Sequence, residues 1–116
     1  MSLFDTTQIG LERALQGASL RQQALAENLA NVNTPGYRRK DVDFHGALRA
    51  AMSAGDPEAA NFSVETDPSA PMRADGNSVD ADVEGARLAQ NGLEYSALVQ
   101  VMRGRIDIIE AALGRG

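Results

Sequence analysis

His45 is the only histidine in the sequence, and there is no cysteine. Acid–base and nucleophilic catalysis need at least two reactive groups within hydrogen-bond reach, usually with a third to orient them. His45 has no second histidine or thiol to work with, so it reads as an exposed side chain in a polar stretch. Asp80-Ala81-Asp82-Val83-Glu84-Gly85 resembles the opening of a calcium loop. The residue due to close that loop is Asn91, where a bidentate glutamate is required. The acidic run is better explained as a helix start, where carboxylates meet the positive end of the helix dipole. Arg38-Arg39-Lys40 is a short basic cluster and reads as a solvated turn or a salt-bridging contact to an acidic neighbour. Asp75-Gly76-Asn77 is a turn signal that suits either a shaped contact loop or a simple connector. No glycine-rich phosphate loop and no Ser/His/Asp set is present. No catalytic, cofactor-binding or metal-binding residue is therefore assigned.

The totals narrow the function classes further. The chain of 116 residues carries 11 basic and 16 acidic side chains, a net charge of −5. That balance argues against nucleic-acid binding, which draws its affinity from a basic face, and against an anionic membrane surface. No apolar run approaches the roughly 20 residues that span a bilayer, so no membrane insertion is expected. Met1-Ser2-Leu3-Phe4-Asp5 has neither a basic start nor a continuous apolar stretch, so no cleavable export signal is expected. Aromatic residues make up only 4% of the chain. Its apolar content is mostly alanine and leucine, which favour helix. So small a chain is expected to complete its core against partner subunits.

Three segments must position whatever the chain does. The first, residues 1–33, reads as a long helix from about Thr7 to Asn33. Its apolar residues Leu11, Leu15, Ala18, Leu25, Leu29 and Val32, with Gln22 filling the gap, follow a coiled-coil spacing. Thr34-Pro35-Gly36 ends it, since a residue before proline avoids the helical region and glycine permits positive φ.

The second segment, residues 34–77, is expected to be irregular, too polar to bury much, and mobile unless packed against something else. Within it, Asp41 to Phe44 allows a short extended piece, His45 to Met52 a brief helix, and Asn61 to Thr66 a short strand with Phe62 and Val64 on one face.

The third segment, residues 78–116, reads as a second long helix from about Asp80 to Leu113, capped by Ser78 or Asp80. One stripe carries Leu88, Tyr95, Leu98, Met102, Ile106, Ile109 and Leu113. A neighbouring one carries Val83, Ala86, Leu93, Ala97, Val101, Ile108 and Ala112. Together they make a face wider than one partner helix needs, which points to further contacts. The expected fold is all-α: two long terminal helices packed as a coiled-coil-like hairpin, joined by an irregular middle with a short extended element.

The stretch from Gln23 to Tyr37 resembles the N-terminal signature of the flagellar rod and hook axial proteins, a helix ending in Asn-x-Ala-Asn-x-x-Thr-x-Gly-Tyr. Asn28, Ala30, Asn31, Thr34, Gly36 and Tyr37 fill its fixed positions, and Pro35 joins them in setting the bend. Arg38 to Phe44 resembles the short proximal rod members in particular. So does Met72 to Asp80 followed by Glu84, Leu88, Asn91 and Tyr95.

The resemblance implies a structural subunit, not an enzyme, that stacks helically into a torque-transmitting shaft. Its terminal helices would form the inner tube around an export channel. Its partners would be other copies, other rod proteins and the proteins of the MS-ring junction. It would leave the cell through the flagellar type III export apparatus without a cleavable signal. Early export substrates often pair a phenylalanine with an apolar residue four positions later; here Phe4 is followed by Gln8, with Ile9 one place late. The residues expected to pack between subunits are Leu11, Leu15, Ala18, Leu25, Leu29 and Val32 on the first helix. On the second they are Leu93, Ala97, Leu98, Val101, Met102, Ile106 and Ile109. Another axial protein of the rod, or a soluble coiled-coil adaptor, would share much of this pattern.

Overall fold

A computed structural model describes the backbone of residues 3–114 and the side chains of residues 5–114. The side chain of Phe4, on which the expected export element turns, lies outside them. Among the described residues the chain is mostly helical. Helix α1 spans Leu3–Ala30, strand β1 Lys40–Asp41, helix α2 Phe44–Ser53, strand β2 Glu65–Thr66 and helix α3 Ala81–Ala112, with a single 3-10 turn at Pro57–Ala59 before β2. Together they make a flat body of 62 × 30 × 14 Å. No helix among the described residues is long and apolar enough to cross a membrane.

The ends of the long helices follow from local chemistry. α1 leaves the α-helical pattern three residues earlier than the spacing predicts. Val32 N–H bonds Leu29 O at 3.3 Å and Thr34 N–H bonds Asn31 O at 3.0 Å, a tightened last turn that takes up carbonyls the helix cannot use. Gly36 then turns at φ +79°. α3 begins where Asp80 caps it, its carboxylate accepting from Asp82 N–H at 3.0 Å and Val83 N–H at 3.2 Å.

α1 and α3 run antiparallel. Asn28 meets Glu84 at one end, and Gln8 meets Met102 at the other. A second face of α1, carrying Gly10, Ala14, Gly17 and Ala24, receives the middle segment. Gly17 lies so close to Phe44 that a Cβ built there would stand 2.5 Å from the Phe44 Cβ, and at Gly10 it would stand 3.1 Å from the Met52 sulfur. Small residues on one helix let the other approach, and the few large side chains supply the burial.

The middle segment departs from the sequence expectation. Val42, Phe44, Ala51, Pro57 and Ala60 are buried, and Val42 and Phe44 join Ala18 and Ala24 in the core, with Leu20, Phe62 and Leu98 against them. The segment is poor in apolar residues but concentrates them where α1 is narrowest. The brief helix expected from His45 to Met52 forms as α2, with Asp43 accepting from Gly46 N–H. The strand expected over 61–66 shrinks to Glu65–Thr66, paired antiparallel with Lys40–Asp41. Phe62 and Val64 do not share a buried face: Phe62 packs under the Arg13 guanidinium, 5.1 Å away, while Val64 is exposed.

Candidate functional site

A polar clamp lies where the end of α1, the turn after it and the start of α3 converge. Asn28 is fully buried. Its Nδ2 donates to Lys40 O at 2.7 Å and to Glu84 Oε2 at 3.0 Å. Its Oδ1 accepts from Lys40 N–H at 2.9 Å and from Tyr37 O–H at 3.2 Å. One asparagine side chain thus ties α1 to β1, to the turn and to α3, using both donors and both lone pairs.

Arg39 is the clamp's cation. Its side chain is 3% exposed and its guanidinium contacts three carboxylates: Glu84 at 2.7 Å, Asp67 at 2.6 Å and Asp41 at 3.1 Å. Glu84 is itself fully enclosed. Burial works against the charge on Arg39, but its hydrogen bonds to Glu84 and Asp41 outweigh that and hold it more firmly protonated than a free arginine. Burial would likewise raise Asp41; bonds from Arg21, the Val42 amide and Arg39 hold it below the ordinary carboxylate value. Asp67 is lowered to about 2, first by the Ser69 hydroxyl and then by the Ser69 amide and Arg39, against a smaller cost of burial. Burial, together with the field of Glu27 and Glu84, raises Tyr37 and keeps its hydroxyl a donor.

A second knot closes the end of α1. Asn77 is buried, and its Nδ2 reaches the carbonyls of Asn31 at 2.9 Å, Val32 at 3.2 Å and Thr34 at 2.8 Å. Arg73 bridges Val32 O and Val79 O at 2.5 and 2.6 Å. The carbonyls orphaned at the helix end are thereby satisfied from within the chain.

The turn residues of the signature divide between the clamp and the surface. Asn28 is buried, Asn31 and Tyr37 are half-buried, and Ala30, Thr34, Pro35 and Gly36 are exposed. Gly36 N–H bonds Asp75 O at 2.9 Å, so Asp75-Gly76-Asn77 docks on this turn.

The candidate packing residues also divide. On α1, Ala18 and Leu25 are buried and Leu11, Leu15 and Leu29 are half-buried, as is Val32 in the turn that follows. On α3, Leu98, Met102 and Ile109 are half-buried, while Leu93, Ala97, Val101 and Ile106 are exposed. Leu93 at 74% and Ile108 at 65% exposure lie with Val101 on an open apolar stripe of α3, and Leu113, just past its end, is 73% exposed.

Other candidates resolve locally. His45 stacks on Phe44 and bonds Glu94 at the surface. Asp80 caps α3 while Glu84 turns inward to Arg39. Among the described residues no group of three His, Cys, Asp or Glu side chains is placed to hold a metal ion.

The sequence placed Glu84 in an acidic helix start and Asn77 in a turn, gave Asn91 no role beyond the family resemblance, and left Arg39 at the surface or against a neighbour. A signal for two of them was present. Glu84, Leu88, Asn91, Tyr95, Leu98 and Met102 follow the same spacing of four and three as the seam on α1, which marks Glu84 and Asn91 as inward-facing.

Comparison with known proteins adds a family to this geometry. Residues 11–38, the seam and turn of α1, match the family model described as "Flagella basal body rod protein". "Flagellar basal body rod protein FlgB" of Bacillus subtilis is 33% identical over 100% of this chain and 99% of its own length. The protein of the same name from Escherichia coli is 30% identical, covering 82% of this chain and 83% of its own. That from Salmonella typhimurium is 29% identical, covering 85% and 89%. With a signature helix anchored by its buried Asn28, and likeness along its whole length, the chain belongs to the FlgB family of flagellar basal body rod proteins.

Proposed function

We propose that this protein is a proximal rod subunit that stacks helically with other copies and other rod proteins into the shaft carrying motor torque. It is a structural component of the flagellar basal body rod and, in this reading, does no chemistry of its own. The open apolar face of α3 carries the proposal: Leu93 and Val101 are 74% and 50% exposed on a helix whose opposite side is already paired with α1. A face of that kind favours burial against another protein. A contact that repeats without closing on itself generates a filament.

In the assembled rod, α1 and α3 act as a coiled-coil-like hairpin lining the inner core around the export channel, and residues 34–77 form the outer segment. Leu93, Ala97, Val101 and Ile106 meet neighbouring subunits. The half-buried residues Leu11, Leu15, Leu29, Val32, Leu98, Met102 and Ile109 share their remaining surface with them, while Ala18 and Leu25 support the hairpin from within. Asn28, Asn31, Thr34, Pro35, Gly36 and Tyr37 fix the turn that delivers the outer segment. Proteins of the MS-ring junction and the type III export apparatus complete the partner set, at a site in the basal body.

Deletion of the gene tests the reading. The deletion strain should not swim, and the wild-type gene should restore motility. Leu93→Asp with Val101→Asp should not restore it, although the purified variant keeps its helical circular dichroism. A deletion strain that swims normally would defeat the proposal.

A further inference from the structure

Among the described residues the apolar seam between α1 and α3 carries three polar layers in which a polar residue on one helix faces a polar residue on the other. Asn28 Nδ2 donates to Glu84 Oε2 at 3.0 Å. Asn91 Nδ2 donates to Gln22 Oε1 at 2.8 Å and to Ala18 O at 2.9 Å. Arg105 Nε donates to Gln8 Oε1 at 3.3 Å, while Gln8 Nε2 donates to Met102 Sδ at 3.0 Å. Asn28, Glu84 and Asn91 are fully buried.

The spacing of these layers is uneven. Along α1 the polar positions step back six residues from Asn28 to Gln22 and then fourteen to Gln8. Along α3 they step forward seven residues from Glu84 to Asn91 and then fourteen to Arg105. Only one antiparallel register brings all three pairs level. A slip of one heptad sets Asn91 against the leucines of α1 in one direction, and Arg105 against them in the other. A buried polar group without a partner costs more than the paired group contributes, so such slips are penalised. The apolar positions cannot do this alone, because apolar side chains follow the same alternation of three and four residues on both helices and fit several registers. A lone buried asparagine fixing register in a coiled coil is the best-attested use of buried polarity.

We propose that Gln22–Asn91 and Gln8–Arg105, with Asn28–Glu84, form a register code that fixes how α1 lies along α3, at no gain and some cost in stability. The clamp around Arg39 holds one end only. The two outer layers set the register along the rest of the 62 Å body. Asn91 shows the cost: its Oδ1 is buried without a hydrogen-bond partner, which a leucine would relieve. The proposal concerns folding within one chain and does not depend on the rod reading.

The chain has no native cysteine, so paired spin labels can be placed at Glu12→Cys on α1 and Gln100→Cys on α3, both exposed positions. Pulsed electron resonance on the full chain then reads the distance between the helices. The parent should give one narrow distance. The Gln22→Leu/Asn91→Leu chain, and the chain that adds Gln8→Leu/Arg105→Leu, should melt at or above the parent temperature while the distance broadens or splits. A single narrow distance in both leucine chains would overturn the proposal. So would a lower melting temperature or failure to fold in both, since the layers would then serve stability and not register.

Discussion

At the scale of single residues, the clamp concentrates charge where water is excluded, and its energetics are asymmetric. Breaking a buried ion pair by removing one partner leaves the other uncompensated, at a cost of about 3–5 kcal/mol. Arg39→Leu strands Glu84, whose other charged neighbour, Arg87, is 3.4 Å away and partly exposed. The substitution should lower unfolding free energy by about that much in urea titration. Acid should act on the same cluster. Asp67 is depressed to about 2 and Asp41 is also lowered. Their stabilisation is therefore complete above the unfolded carboxylate value of about 3.9, and it is lost as pH falls from there towards about 2. The stability gap between the parent and Asp67→Asn should be wider at neutral pH than near the bottom of that window, by denaturant titration at both.

At the scale of elements, α1 is shaped by two neighbours at once, and only one was legible beforehand. The spacing of Leu11, Leu15, Ala18 and Leu25 announced a seam for another helix. The second face, with Gly10, Gly17 and Ala24, is made of residues whose information is their lack of volume, and periodicity of apolar residues does not register absence. The packing of the middle segment is hidden in the sequence for the same reason. Its few apolar residues looked insufficient because the depth of the groove receiving Phe44 cannot be seen in the segment itself. The clamp is half legible: the signature holds Asn28 and the spacing of α3 turns Glu84 inward, but Arg39 reaches Glu84 across 45 residues of sequence, a pairing no local pattern encodes. The contrast between glycines makes the packing testable. Gly17→Ala gains helix propensity, but its Cβ would sit 2.5–2.9 Å from Phe44 atoms and must push α2 away, for a net loss of about 1–3 kcal/mol. Gly85→Ala meets nothing within 4 Å and should gain up to about 1 kcal/mol. Chemical denaturation of the two variants should give opposite signs.

At the scale of the whole molecule, the two ends of the long body differ in how they are held. At one end α1, β1, β2 and α3 are tied by Asn28, Arg39, Glu84 and Asn77 into a fully buried polar junction. At the other, α3 continues past its last polar layer at Arg105 with Ile108 and Leu113 facing outward. Local opening costs least where few buried contacts must be broken, so the helix pair should open from the far end. Native-state hydrogen exchange on the purified chain should find amides around Glu84 to Asn91 the slowest in α3 and those from Arg105 to Ala112 much faster. A polymerised sample should slow the fast set, because covering the apolar face removes the same opening motion. Uniform protection along α3 in the free chain would mean that the far half is already complete without a neighbour, and the exposed leucines and isoleucines would then need another explanation.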